Sequence, residues 1–241
     1  MESTLNYLLY IYAMAVYSLQ NSSTERQPTL KVEEESLQPR LYVDPQYVFS
    51  LFGRGYNSKK HDKWVPASKP QQVFDIPRTG AYIKSDRAKW ATETLRSMLP
   101  TATDQEVRDF KIKEFEAIAV AGTFSYRNAN SLLSRSCYIV LDIDDLTSTE
   151  EAREVQQTLV ADREVETALC FVSPKGLGVK WIVELPKWCQ ELPFCEQYAS
   201  LSRHIGFEYG IQADPSCSDV CRLCFLPFDP ECFINQKYLT L

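Results

Sequence analysis

Hydrophobic positions along this chain predict strands in its second half. Residues 136–143 form a nearly continuous apolar run, the pattern of a central strand that is covered on both faces. Residues 168–172 and 179–185 are two further apolar runs, joined by a turn that contains Ser, Pro and Gly. Shorter runs at 116–121 and 222–228 predict two more strands.

Other segments have apolar residues three or four positions apart, which predicts helices. Residues 86–98 show this spacing and end before a proline, and residues 194–204 show it again. Ser148, followed by Glu151, has the spacing of a capping box and predicts a helix that continues to about Val160. With the strands around it, this helix gives the order β-α-β-β. The pattern therefore predicts an α+β domain.

The N-terminal part of the chain has a different character. Residues 5–19 predict a partly buried amphipathic helix, because they lack the basic start of a signal peptide and fall short of the roughly 20 residues that span a bilayer. Residues 21–39 are polar and predict a linker. We therefore expect residues 1–40 to be a helix and linker, and residues 41–241 to be the functional domain.

Composition and charge narrow the classes of partner. With 241 residues, 44% of them hydrophobic, the chain can bury one substantial core. Its net charge of -6 creates no overall attraction for nucleic acid, so such binding needs a local basic surface. Residues 59–63 contain lysines that could contact phosphates, although a solvated loop is the default interpretation. The eight cysteines lie from Cys137 onward, several in apolar runs, which indicates reduced thiols and a cytoplasmic protein without membrane contact.

The first candidate for chemistry is an acid pair at the end of the central strand. Asp142 and Asp144 project from the same face of a strand, with Cα atoms roughly 6.5 Å apart. Two such carboxylates can hold two divalent cations about 3.5 to 4 Å apart for nucleotidyl transfer. The alternative is that these acids cap the following helix, a role that also suits Asp145.

The second candidate is the turn between the two later strands. Gly176 and Gly178 allow the backbone to approach a phosphate closely, and the hydroxyl of Ser173 can donate to it. Lys175 and Lys180 supply positive charge. The spacing of a Walker A loop is missing, and a tight hairpin turn is the alternative.

The third candidate is an acid with an arginine behind it. Asp214, as an acid that closes a strand, could be a third metal ligand, and Arg222 could bind a triphosphate bidentately. A surface turn and an ordinary salt bridge are the alternative.

These three features, in this order, resemble motifs I, II and III of the archaeo-eukaryotic primase superfamily. They are more closely similar to its VirE-like N-terminal domain, which is found in bacterial mobile elements. The resemblance covers about residues 75–241. The segments that carry it are 78–82, 99–100, 122–124, 138–146, 171–180, 214–226, 228–230 and Asn235.

The resemblance implies a primase-polymerase-like core, with a mixed, mainly antiparallel sheet flanked by helices. It also implies template-directed nucleotidyl transfer with Mg or Mn in a two-metal site. The expected partners are nucleoside triphosphates and a single-stranded nucleic-acid template, and a helicase on a neighbouring domain or chain is a candidate partner. The implied metal ligands and catalytic residues are Asp142, Asp144 and Asp214. The implied nucleotide-binding residues are Ser173, Lys175, Gly176, Lys180 and Arg222.

This chain departs from the family pattern in three places, and the first two favour an alternative function. No histidine lies near Lys180, where active primase-polymerases commonly have one. Lys175 and Leu177 differ from the usual turn, which reads Ser-Pro-Ser-Gly-Lys-Gly-Leu-Lys, and Cys221 replaces a serine before the arginine. The alternative is a degenerate, non-catalytic module that binds nucleic acid or a replication partner.

The cysteines allow a different interpretation. Cys217, Cys221 and Cys224 have the spacing that holds an iron–sulfur cluster in radical enzymes, and Cys232 could complete a four-thiolate zinc site. Buried structural thiols are the commoner explanation. His204, within a helical pattern, is interpreted as a structural histidine rather than a base.

Overall fold

Two four-stranded sheets organise the part of the chain that the computed structural model describes, residues 44–59 and 63–239. The predicted N-terminal helix and linker lie outside these residues, as do residues 60–62 of the lysine-containing segment. Helices pack around the sheets, so the α+β prediction is confirmed.

The first sheet contains the predicted strands near residues 116–121 and 222–228, both shorter than expected. Its strands, in spatial order, are β11 (Cys224–Phe225), β5 (Ala117–Ala119), β1 (Phe49–Phe52) and β4 (Pro70–Phe74). Each neighbouring pair is antiparallel. The last predicted strand therefore joins a different sheet from the acid pair.

The second sheet holds the β-α-β-β unit. Its strands, in spatial order, are β12 (Phe233–Ile234), β9 (Thr167–Val172), β10 (Val179–Glu184) and β8 (Tyr138–Ile143). The strand predicted to be central, β8, lies at one end of this sheet. Its free edge is covered locally, because the N–H of Asp214 donates to the carbonyl of Asp142 at 2.8 Å.

Strand direction differs from the expectation in one respect. A mixed sheet was expected, but every strand pairing in the described part of the chain is antiparallel. Two small ribbons complete the strands: β2 (Tyr56–Ser58) with β3 (Lys63–Val65), and β6 (Gly122–Phe124) with β7 (Leu132–Arg135).

Six α-helices surround the sheets within the described residues. They are α1 (Ile76–Lys84), α2 (Lys89–Met98), α3 (Asp104–Glu114), α4 (Thr149–Val160), α5 (Lys187–Gln190) and α6 (Phe194–Tyr209). The predicted helix at 86–98 begins as a 3-10 turn, and α6 extends beyond the predicted end until Gly210 adopts φ +67°. Among the helices of residues 44–59 and 63–239, none has the length and apolar character needed to cross a membrane.

The start of α4 matches half of the predicted capping box. The hydroxyl of Ser148 accepts the N–H of Glu151 at 3.2 Å, which confirms the N-cap. The carboxylate of Glu151 accepts the N–H of Thr147 at 2.7 Å instead of the N–H of Ser148.

Asp145 does not cap this helix. It lies at the exit of β8 with φ +61°, a left-handed conformation that Asp tolerates better than most residues.

The strand β8 is buried on both faces, which explains its continuous apolar run. Tyr138 and Val140 face the larger core, which also contains residues of the first sheet. Ile139, Leu141 and Ile143 face a second core that α4 and α6 cover. The acid pair therefore lies at the end of a strand that is enclosed on both faces.

A buried ion pair ties α4 to the C-terminal segment. Asp229 has a side chain that is 0% exposed, and Arg153 of α4 binds its two carboxylate oxygens at 2.5 and 3.0 Å. Asp229 also accepts the N–H of Val172 at 2.8 Å and the N–H of Glu231 at 3.0 Å. This carboxylate therefore joins three segments of the fold.

The prediction that His204 is structural is consistent with its contacts. Its Nε2 lies 2.6 Å from a carboxylate oxygen of Asp162, which also accepts the hydroxyl of Tyr209 at 2.9 Å. Asp162 accepts the backbone N–H groups of Glu164 and Val165 as well. These contacts fix the turn between α4 and β9.

Candidate active site

The acid pair lies at the end of β8, beside the lysine of the neighbouring strand. Asp142 is the cross-strand partner of Lys180 on β10. The ammonium of Lys180 contacts a carboxylate oxygen of Asp142 and lies 3.6 Å from one of Asp144. The alternation expected from sequence therefore brings both acids to one cation.

Main-chain hydrogen bonds place the third acid, Asp214, next to the acid pair. Asp214 does not close a strand as expected; it precedes a 3-10 turn, and its side chain accepts the N–H and hydroxyl of Ser216 at 2.9 and 2.6 Å. Its carbonyl accepts the hydroxyl of Tyr198 at 2.6 Å. With the hydrogen bond to Asp142 described above, these contacts hold Asp214 at the end of β8.

The thiol of Cys217 lies between two of the acids. Its Sγ is 3.6 Å from a carboxylate oxygen of Asp142 and 3.6 Å from one of Asp214. Within the described residues, one group of three or more His, Cys, Asp or Glu side chains has ligand atoms that all lie within 4.8 Å of one another: Asp142, Asp214 and Cys217.

The other cysteines do not join this group. Cys221 lies in the smallest core cluster of the described residues, and Cys224 and Cys232 lie in the largest. Burial raises the pKa of Cys224 to about 12, which disfavours the thiolate that a metal needs. Among the described residues, Cys217, Cys221, Cys224 and Cys232 therefore do not form a group whose sulfur atoms could share one metal ion.

The turn between β9 and β10 closes over the acids. The N–H of Ser173 donates to the carbonyl of Gly178 at 2.8 Å, and the N–H of Gly176 donates to the carbonyl of Ser173 at 2.9 Å. Gly176 has φ +81°, which favours glycine. Arg96 of α2 donates to the carbonyls of Pro174 and Ser173 at 3.3 and 3.4 Å. The turn is therefore held from a helix distant in sequence.

A cleft of about 490 Å³ opens above these residues. Six of its lining residues are cationic and two are acidic, so its formal charge is strongly positive although the whole chain is negative. The lining residues are Pro66, Arg108, Lys111, Ile112, Arg127, Asp142, Asp144, Ser173, Pro174, Lys175, Lys180, Arg222, Leu223 and Phe225. We expected that binding of nucleic acid would need a local basic surface, and this cleft is a basic surface.

Most of the predicted nucleotide-binding residues line this cleft, but one does not. Ser173, Lys175 and Lys180 line it, as expected for phosphate contacts. Arg222 also lines it, and its guanidinium lies 3.6 Å from the carboxylate of Asp214. Gly176 shapes the turn by its backbone and is not among the lining residues.

Sequence reasoning missed half of the cleft's cations. Arg108 and Lys111 lie on α3, and Arg127 lies in the loop between β6 and β7. The spacing of Arg108 and Lys111 puts them on one helix face, but a pair of cations on an amphipathic helix is ordinary for a solvated surface. No local pattern distinguishes them; the fold brings them to the site.

The electrostatics of the acids follow from burial and from these cations. Burial raises the pKa of Asp144, and Lys175 and Lys111 act in the opposite direction. Burial also acts to raise the pKa of Asp214, but the hydrogen bonds from Ser216 outweigh it, and the pKa lies below its usual value. Burial lowers the pKa of Lys180 to about 8. The acids are therefore held close together with their charge partly compensated.

The donor set fits a divalent cation between two of the acids. The carboxylates of Asp142 and Asp214 supply the oxygen ligands that Mg²⁺ and Mn²⁺ prefer. Burial raises the pKa of the Cys217 thiol, which disfavours the thiolate form before a metal ion binds. Between Asp142 and Asp144 the positive charge comes from Lys180, so a second cation there would have to displace this ammonium.

Substitution of Gly178 tests how tightly this site is packed. A Cβ at Gly178 would lie 2.5 Å from the carbonyl of Ile143 and 2.9 Å from a carboxylate oxygen of Asp144. We expect Gly178→Ala to lower the free energy of unfolding by about 1–3 kcal/mol, measured by urea denaturation. Gly206→Ala is the matched control, because its nearest neighbour is the carbonyl of Ile211 at 3.7 Å and alanine favours a helix. Equal stability of the two variants would contradict the close packing.

Fold and site together define a class: an α+β domain whose basic cleft lies over carboxylates at the end of an antiparallel sheet. Residues 110–233 match the family model described as BT4734-like, N-terminal domain. Because the match covers more than half of the chain, the chain belongs to the BT4734-like N-terminal domain family. The match includes the eight predicted site residues together with Lys111 and Arg127. No curated protein and no solved structure matches the chain.

Proposed function

We propose that this domain is a metal-dependent nucleotidyltransferase of the primase-polymerase type, related to the VirE-like domains of bacterial mobile elements. It would synthesise a DNA or RNA primer on a single-stranded template during replication of such an element. The observation that carries the proposal is the meeting of Asp142, Asp144 and Asp214 under a cleft with an excess of cations. Carboxylates bind the metal in such enzymes, and cations bind the triphosphate.

The residues suggest a division of roles. Asp142 and Asp214 would hold a divalent cation, and Asp144 would join them when Lys180 moves away. A bound Mg²⁺ or Mn²⁺ would supply Lewis-acid activation of the attacking hydroxyl and charge compensation for the leaving pyrophosphate. Ser173 lies on the turn side of the cleft, where its hydroxyl can donate to a phosphate oxygen.

Arg222 has a suitable position for the triphosphate. It is 45% exposed and lines the cleft, and its weak contact with Asp214, at 3.6 Å, leaves guanidinium donors available. A guanidinium binds phosphate oxygens in a bidentate geometry, which a lysine does not. Arg222 would therefore orient the nucleotide relative to the acids.

The primary test is incorporation of labelled nucleotides on a single-stranded template, with and without a primer. We expect incorporation with Mn²⁺ or Mg²⁺ and none after chelation. Extension only of a primed template would define a polymerase, and products on an unprimed template would define a primase. Template binding without incorporation under either metal would contradict an enzymatic function.

A specific contact favours a second candidate, a non-catalytic nucleic-acid-binding or replication-partner module. Lys180 contacts both Asp142 and Asp144, so these acids are already compensated by a resident cation. In such a module the carboxylates would serve packing instead of metal binding. Titration with Mn²⁺, followed by electron paramagnetic resonance, separates the two: the enzyme binds the ion, and the module does not.

A further inference from the structure

The cations of the cleft fall into two groups. Lys180 and Arg222 lie within ion-pair distance of the site's own acids. The others, by contrast, have no carboxylate within 4.0 Å among residues 44–59 and 63–239. These unpaired cations are Arg108, Lys111, Arg127 and Lys175.

Two buried donors in the same cleft also lack partners. The Nε of Arg127 and the hydroxyl oxygen of Ser173 are buried and make no hydrogen bond within the described part of the protein. Ser173 is only 2% exposed. Both residues line the cleft. Because an unsatisfied buried donor costs about 1–3 kcal/mol, such donors are usually satisfied by a ligand or by ordered water.

Lys111 lines the same cleft as these donors. It projects from α3, with its ammonium 5.9 Å from the centre of the Phe225 ring. Burial lowers the pKa of Lys111, and Lys175 and Arg222 act in the same direction. The cations on the two sides of the cleft therefore repel one another, and a bound anion would relieve that repulsion.

We propose that Lys111 and Arg127, together with Ser173, form a polyphosphate subsite that binds the β- and γ-phosphates of the incoming nucleotide and the pyrophosphate that leaves. The assignment to a nucleotide rests on the proposed function. The subsite itself rests on the unpaired cations and the two buried donors. It adds α3 and the β6–β7 loop to the phosphate contacts expected from the turn at 173–180.

A compact polyphosphate fits this site better than a nucleic-acid backbone. The unpartnered donors are buried inside a cleft of about 490 Å³, so the anion must enter it. A polyphosphate concentrates several charges in a small volume, whereas a single strand spreads one charge per nucleotide along an extended surface. The cluster of cations around the cleft therefore complements the former.

The test measures binding of inorganic pyrophosphate by calorimetry, in the absence of divalent metal. We expect the wild-type protein to bind, and Lys111→Gln and Arg127→Gln each to weaken binding by about tenfold. The matched controls are Lys187→Gln and Arg163→Gln, at exposed positions away from the cleft, and these should bind like the wild type. Lack of binding by the wild type, or equal binding by all variants, would overturn the subsite.

A second arm separates the two sources of phosphate. A labelled single-stranded oligonucleotide is titrated against the same variants. Loss of oligonucleotide binding with unchanged pyrophosphate binding would overturn the proposal and assign these cations to the nucleic-acid backbone. Since pyrophosphate binding is measured without metal or template, it can succeed even if nucleotide incorporation fails. The two proposals therefore fail separately.

Discussion

Replacing Asp142 by Asn should lower metal-dependent nucleotide incorporation by roughly a thousandfold, because the change removes a proposed metal ligand while keeping the size of the side chain. Asp142 is in contact with most of the other site residues. It contacts Lys180, and its carboxylate lies close to Cys217 and Asp214. The loss should appear in single-turnover incorporation at saturating template. Replacing both Asp142 and Asp144 by Ala should abolish incorporation.

The control for this experiment is the next acid along the chain. Asp145→Asn makes the same chemical change at an exposed residue that does not line the cleft. Asn tolerates the left-handed conformation of this position, φ +61°, so the variant should fold and retain activity. If Asp142→Asn incorporated nucleotides as fast as Asp145→Asn, the carboxylate site would not be catalytic.

Replacing Arg153 by Met should lower the free energy of unfolding by about 3–5 kcal/mol, because it leaves the fully buried carboxylate of Asp229 without its cation. Lys89→Met is the control, since Lys89 pairs with Asp86 at 3.6 Å on the surface and its loss should cost less than about 1 kcal/mol. Urea denaturation at neutral pH measures both.

A third variant separates the lost ion pair from lost packing. Adding Asp229→Asn to Arg153→Met removes the uncompensated charge, so the double variant should be more stable than Arg153→Met alone. The amide oxygen of Asn can still accept the N–H of Val172, which Asp229 holds at 2.8 Å. Equal stability of the double and single variants would indicate that Arg153 acts mainly by packing.

The β-α-β-β unit could be predicted because its signals are local. The apolar run of β8, the cap at Ser148 and the turn between β9 and β10 each depend on neighbouring residues, and each was placed within a few positions. The position of β8 at the end of its sheet could not be predicted. Its edge is covered at Asp142 by the chain at Asp214 and one of its faces packs against α6, so it is as buried as a central strand.

Some residues of the candidate site could be predicted from local sequence, and others could not. The acids, the turn and Arg222 lie in short segments with recognisable spacing, so sequence could nominate them. Lys111 and Arg127 belong to elements that the first sheet brings to the cleft, through strands as short as the pair Cys224–Phe225. The apolar run at 222–228 predicts this strand, but a strand of two residues carries no pattern that identifies the strands it pairs with. The support of the turn by Arg96 depends on the same long-range packing.

The segment from Asp214 to Cys224 crosses from one sheet to the other. It is fastened to the second sheet by the hydrogen bond to Asp142 and to the first by the pairing of Cys224 with Ile118. Arg222 lies on this bridge, close to its far anchor. Any sliding of one sheet against the other would therefore stretch the bridge and shift the guanidinium relative to the acids. The place of Arg222 over the acids therefore depends on how the two sheets are held relative to each other.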